Sequence, residues 1–213
     1  HHNMNKRKIF QPFFNIVAKI LYRVKIIGEE NIPETGSYIL CGNHVHALDA
    51  PVIIVTAKRK IRFMAKEELQ KNKIISFFAK VFEVIPVKRG TADLDAIKLS
   101  MKAIKDGDIL GIFPEGTRNG MAKHSSIKAG AAFMALKTNT PVIPVGIQGT
   151  FKPFTKVVIN YGKPIDFSEY AVNKGKPDKE HLEIVSEKIM EEIVKLRDNK
   201  EIKKTLKKML KKI

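Results

Sequence analysis

Short apolar runs alternate along this chain with longer segments in which apolar residues recur every three or four positions. The short runs at 37–42, 61–65, 85–87, 108–113, 141–146 and 156–161 predict strands, and the periodic segments at 51–57, 73–81, 94–105 and 127–137 predict helices. Strands separated by helices favour parallel pairing, because a return to the same sheet edge needs a crossover of helical length. The expected fold is α/β: a single domain with a mostly parallel central sheet flanked by helices. Its core is expected to span residues 24–165.

Both ends of the chain carry amphipathic patterns. Phe13, Val17, Ile20 and Leu21 recur at helical spacing after the basic run Lys6-Arg7-Lys8. The uncharged run from Ile9 stops at Lys19, well short of the roughly 20 residues that span a bilayer. A short amphipathic helix over 4–23 is expected, either lying in a membrane interface or packed on the domain. His1, His2 and Asn3 read as a tag remnant and are left out of the fold reasoning. In the C-terminal helical region, 166–213, Leu182, Val185, Ile189, Ile193 and Leu196 make one apolar stripe. Ile202, Leu206, Met209, Leu210 and Ile213 make a second, with Lys203, Lys204, Lys207, Lys208, Lys211 and Lys212 on the other face. This basic C-terminal amphipathic helix suits either an anionic membrane surface or docking by its stripe.

Charge and composition narrow the partners. A length of 213 residues suits one domain, and the net charge of +17 favours anionic partners: phospholipid headgroups, phosphorylated substrates or nucleic acid. The chain has no tryptophan and no interleaving of aromatic with basic residues, so base-stacking surfaces lack support and no specific nucleic acid is expected. The single cysteine, Cys41, excludes an intramolecular disulfide and fits a reducing compartment. No signal peptide is recognisable.

The most chemically pointed stretch is Asn43-His44-Val45-His46-Ala47-Leu48-Asp49, directly after a predicted strand. His44 and Asp49 are five positions apart, about 140° around a regular helix, so they can meet only across a non-helical turn. Asp49 precedes Ala50-Pro51, as an N-cap residue would, which places His44 between a strand end and a helix start. Ligands of open α/β sheets bind there. An imidazole oriented by a carboxylate suits general-base catalysis on a hydroxyl. No G-x-S-x-G elbow occurs, so a serine nucleophile has no support and the substrate's own hydroxyl is the group to activate. His46 forms an H-x-H pair with His44, but no further ligand cluster supports a metal. Cys41 reads as a small buried strand residue, with a thiol nucleophile as the alternative.

A second block, Phe113-Pro114-Glu115-Gly116-Thr117-Arg118-Asn119, follows another predicted strand. Gly116 permits a turn that directs N–H groups at an anion, Thr117 adds a hydroxyl, and Arg118 a bidentate fork for phosphate. Arg89 ends the strand-like Ile85-Pro86-Val87, and Lys128 opens the 127–137 helix as a candidate phosphate contact or an ordinary surface lysine.

Together these blocks resemble the glycerolipid acyltransferase family, of the lysophosphatidic acid acyltransferase type. Asn43, His44 and Asp49 match its N-H-x-x-x-x-D block. Pro86, Val87 and Arg89 match P-V-x-R, residues 113–118 match F-P-E-G-T-R, and Val142–Val145 is similar to its apolar fourth block, with Pro144 implied to serve fold or acyl handling. The resemblance implies His44 as general base and Asp49 as its orienting partner. It implies that Arg89, Glu115, Gly116, Thr117 and Arg118 bind glycerol phosphate. This chain departs from the pattern at Glu83-Val84, Lys88 and Asn119, which bears on the acceptor. The implied reaction moves an acyl group from acyl-CoA or acyl-ACP to 1-acyl-glycerol 3-phosphate (lysophosphatidic acid), giving phosphatidic acid, with no metal and no bound cofactor. Glycerol 3-phosphate or another lysophospholipid is the alternative acceptor, and an anionic-lipid surface binding protein the non-enzymatic alternative. The implied partners are an anionic membrane surface and acyl carrier protein; the implied place is the cytoplasmic face of the cell membrane, peripheral or monotopic.

Overall fold

Side chains alternate across the central strands and so define two helical layers. The computed structural model describes residues 2–88, 93–113, 128–172 and 175–199, with the backbone alone for residues 2–5, 128 and 129. The order is α1 (His2–Tyr22), β1 (Lys25–Ile27), β2 (Tyr38–Gly42), α2 (Asp49–Thr56), β3 (Ile61–Lys66), α3 (Lys73–Val81) and β4 (Ile85–Val87). Then follow α4 (Leu94–Lys105), β5 (Ile109–Ile112), α5 (Lys128–Thr138), β6 (Val142–Gln148), β7 (Val158–Tyr161) and α6 (Lys179–Arg197). Leu40, Ile109, Ile143, Val145 and Ile147 pack toward α1, α2 and α3. Ile39, Cys41, Leu110, Ile112 and Val142 pack toward α4, α5 and α6. This two-residue period, buried on both faces, is why the strands read as continuous apolar runs.

The sheet order is β1-β7-β6-β2-β5-β3-β4. Every pair is parallel except β6 with β7, so the expected mostly parallel α/β sheet is observed. The chain leaves β2 toward β3 and β4, returns to β5, then passes to β6 on the other side of β2. That reversal is a topological switch point at the carboxyl ends of β2, β5 and β6, where open α/β sheets bind ligands. β1 lies outside the expected strands; it is three residues long and pairs with β7 at the sheet edge.

At the ends, one boundary moves. The N-terminal helix, expected over 4–23, runs from His2 to Tyr22 and so takes in His2 and Asn3, which in the sequence read as a tag remnant. Its inner face explains its persistence. Gln11 Nε2 donates to the carbonyls of Ala57 (2.8 Å) and Ile54 (3.2 Å), and Arg7 Nη2 to that of Arg59 (3.3 Å), which satisfies the open end of α2. Among the described residues no helix is long and apolar enough to cross a membrane. At the other end, Val185, Ile189 and Ile193 of α6 are buried against the sheet, so the first C-terminal stripe docks. The second stripe and its lysines, 202–213, lie outside the described residues.

At the amino ends of β3 and β5 sits an ion cluster. Arg62 Nε lies 2.8 Å from Asp108 Oδ2, Lys60 Nζ 3.2 Å from the same oxygen, and Lys60 also pairs with Glu83.

Candidate active site

Gly42, the last residue of β2, passes too close to its neighbours to carry a side chain. A Cβ would stand 2.7 Å from the Val145 carbonyl oxygen and 3.0 Å from a Phe113 ring carbon. Asn43 then leaves the strand but keeps its pairing through its side chain. Its Nδ2 donates to the Ile147 carbonyl at 2.9 Å, and its Oδ1 accepts from the Ile147 N–H at 2.7 Å. The amide thus imitates one more ladder residue against β6 and fixes where the next loop begins.

The loop turns without helix, as the five-residue spacing required. The Asp49 N–H donates to the His46 carbonyl at 3.1 Å, which brings Asp49 back under His44. Asp49 Oδ2 accepts from the backbone N–H groups of Val45 (2.7 Å) and His46 (2.9 Å), and lies 2.9 Å from His44 Nδ1. The imidazole contact is close but not in line as a hydrogen bond, and Asp49 Oδ1 is buried without a hydrogen-bond partner among the described residues. The expectation that Asp49 caps α2 is therefore corrected. Asp49 is the first residue of α2, Leu48 occupies the N-cap, and the carboxylate folds back onto the loop. Its charge still sits at the helix N-terminus, where the dipole favours an anion. With Nδ1 turned toward the carboxylate, Nε2 of His44 is the nitrogen left to accept a proton.

Aromatic rings set the imidazole's position. His44 stacks on Phe113 (centroids 5.7 Å, 21°), and Phe113 on Phe63 (4.9 Å, 29°). The Phe63 ring covers Gly111, where a Cβ would meet it at under 3.0 Å. Phe113 opens the 113–119 block, so the carboxyl end of β5 stands directly beside the histidine. His46 goes elsewhere. Its ring stacks on Phe151 (5.3 Å, 13°), which meets Tyr22 at the end of α1 (5.8 Å), and its Nδ1 accepts from the Leu48 N–H at 3.2 Å. Among the described residues no group of His, Cys, Asp and Glu is arranged to hold a metal.

Of the residues expected in the site, the structure brings His44 and Asp49 together. Arg89, Glu115, Gly116, Thr117 and Arg118 lie outside the described residues, and for Lys128 the backbone alone, at the start of α5, is described. Pro86 and Val87 lie on β4, separated from β2 by β3 and β5, about 14 Å along the sheet. Pro144 is buried in β6, opposite Cys41. Burial pushes the Cys41 thiol up to about 12, so at neutral pH it is a protonated core residue and not a nucleophile. Two contributors were not foreseen as such: the Asn43 clamp on β6 and the Phe151 ring under His46. The NH dipeptide marked the first; nothing local marks the second.

Comparison with known proteins identifies the family and the fold. The family model described as Acyltransferase matches residues 23–148. A 1-acyl-sn-glycerol-3-phosphate acyltransferase of Bacillus subtilis is 31% identical, over 85% of this chain and 92% of its own length. The enzyme of that name from Borreliella burgdorferi is 34% identical over 64% of this chain and 56% of its own length. The crystal structure of the 1-acyl-sn-glycerophosphate (LPA) acyltransferase of Thermotoga maritima superposes with a TM-score of 0.56 at 29% identity. It covers 79% of this chain and 71% of its own.

Proposed function

This chain belongs to the acyltransferase family, and we propose that it acylates the free hydroxyl of 1-acyl-glycerol 3-phosphate from an acyl thioester, giving phosphatidic acid. The observation that carries this reading is the approach of His44 Nδ1 to the buried Asp49 carboxylate at 2.9 Å, on a loop at the carboxyl edge of the sheet. In the reaction, Nε2 of His44 takes the acceptor hydroxyl proton as that oxygen attacks the thioester carbonyl. The C–O ester bond forms, the tetrahedral intermediate collapses with C–S cleavage, and the imidazolium returns the proton to the departing thiolate. Asp49 holds the ring and favours the imidazolium as it forms. Thiolate leaves readily, so a single base is sufficient.

Arg89, Glu115, Gly116, Thr117, Arg118 and Lys128 are the proposed phosphate-binding set. Their support is the motif match together with the stacking of Phe113, first residue of that block, on His44. The donor is acyl-CoA or acyl-ACP; no metal or bound cofactor enters the scheme. The place of action proposed is the cytoplasmic face of the cell membrane, with the outer stripe of α1 in contact with lipid.

The test is a thiol-release assay with acyl-CoA and acyl-ACP against glycerol 3-phosphate, 1-acyl-glycerol 3-phosphate and lysophospholipids lacking the free phosphate. Thiol release should depend on 1-acyl-glycerol 3-phosphate and exceed that with every other acceptor. Preference for glycerol 3-phosphate would reassign the acceptor. Vesicle binding with no thiol release under any pairing would leave a lipid-binding protein.

A further inference from the structure

Among the described residues, the outer face of α1 has no partner. Arg7, Gln11, Phe14 and Ala18 face the domain. Ile9, Phe13, Ile16 and Ile20 lie two positions further on, about 200° around the helix, and are 60–70% exposed. Single apolar residues at a surface are ordinary; a continuous stripe marks an interaction site. α3 extends it. Phe77 meets Phe10 of α1 edge-on at 5.5 Å, and Ile74, one turn earlier on α3, is 69% exposed.

Charge identifies the occupant. Neither α1 nor α3 contains an Asp or Glu, while Lys8 and Lys19 on α1 and Lys73 and Lys80 on α3 are exposed. On the opposite face of the sheet, α4 and α6 carry acids and bases together. A second copy docked face to face would set these lysines against their own equivalents, and like charges repel. Anionic headgroups above an apolar layer satisfy both the stripe and its cationic rim.

We propose that α3 is a second lipid-inserting element: Ile74 and Phe77 enter the headgroup–acyl boundary of an anionic bilayer beside the outer stripe of α1. The lipid-contacting surface is then a plate built from two helices separated in sequence by β1, β2, α2 and β3. The aromatic contact from Tyr22 through Phe151 to His46 places one end of that plate against the loop that holds Asp49. This deepens the lysolipid reading above, since a lipid-borne acceptor would reach the site from the same surface.

The chain has no tryptophan, so Ile74→Trp supplies a sole reporter. On anionic vesicles of phosphatidylglycerol its emission should shift to shorter wavelength and become shielded from acrylamide. Leu94→Trp, similarly exposed on α4 across the sheet, should do neither. In parallel, Ile74→Ser combined with Phe77→Ser, with α1 intact, should weaken vesicle partitioning roughly tenfold or more. Its thiol release with a monomeric short-chain acceptor should stay at the wild-type level. Sedimentation of the Ile74→Trp variant with vesicles while its indole remains quenchable would overturn the proposal, leaving α1 as the sole anchor. Equal shifts for Ile74→Trp and Leu94→Trp would overturn it as unspecific adsorption. A change from dimer to monomer in the serine variant would overturn it in favour of self-association. Absence of turnover alongside normal insertion of the Ile74→Trp indole would count against the acyl-transfer reading and leave the lipid contact standing.

Discussion

Two carboxylates, Asp49 buried and Asp108 half-buried, sit at opposite ends of the same sheet and are held in opposite ways. Asp108, at the amino ends of β3 and β5, lies among permanent cations, Arg62 at 2.8 Å and Lys60 at 3.2 Å. The cluster joins strands. Asp49, at the carboxyl end of β2, has no permanent cation among its described contacts. It has two backbone N–H groups and one imidazole that can be neutral or charged. The difference separates a structural ion cluster from the pair proposed to do the chemistry. The first is surrounded by permanent charges of opposite sign; on the proposed mechanism the second keeps its field for a proton that arrives during turnover.

Substitutions at the two ends should therefore separate activity from stability. His44→Ala should lower turnover about 100- to 10,000-fold while the far-ultraviolet circular dichroism stays native; near-normal turnover would remove the general-base role. Asp49→Asn should cost roughly 100-fold in kcat, less than His44→Ala because the imidazole remains. A change confined to KM would make Asp49 a substrate-site residue instead. Asp108→Asn should reverse the pattern. Denaturant melts should show a loss of about 1–3 kcal/mol, below the value for a fully buried pair because the site is partly open to water. Turnover per folded molecule should be unchanged. The smallest effect concerns Cys41. Its thiol is protonated in the fold up to about 12, whereas an unfolded thiol ionises near about 8.5. The unfolded chain alone loses a proton between these values, so native stability should fall as pH rises from about 9 toward 12. Cys41→Ala should fall less steeply over that window. Equal slopes would mean that the thiol is not sealed in the core.

The sequence disclosed most of the fold because its strands are buried on both faces and stand out as apolar runs. β1 escaped notice because three residues, Lys25–Ile27, carry too little pattern to distinguish an edge strand from a linker. The start of α1 at His2 escaped because His1, His2 and Asn3 read as a tag remnant; the contacts of Arg7 and Gln11 with the end of α2 are long-range and invisible locally. Within the site, the spacing of His44 and Asp49 foretold the turn. It could not foretell that Asp49 would accept from Val45 and His46 in place of capping α2. Phe151 contributes across more than a hundred residues from His46, through a strand order that no local pattern encodes. The outer stripes of α1 and α3 show the same limit from the other side. Periodicity marks an apolar face, but only packing tells which of two such faces is already covered.

The pH dependence of kcat/KM tests the central claim most directly, measured by thiol release for the wild type and for the residual activity of His44→Ala. The account predicts that wild-type activity falls toward acid pH along a limb of unit slope and that this limb is absent in the variant. The same limb in both proteins would contradict it, because the titrating base would then be a group other than His44.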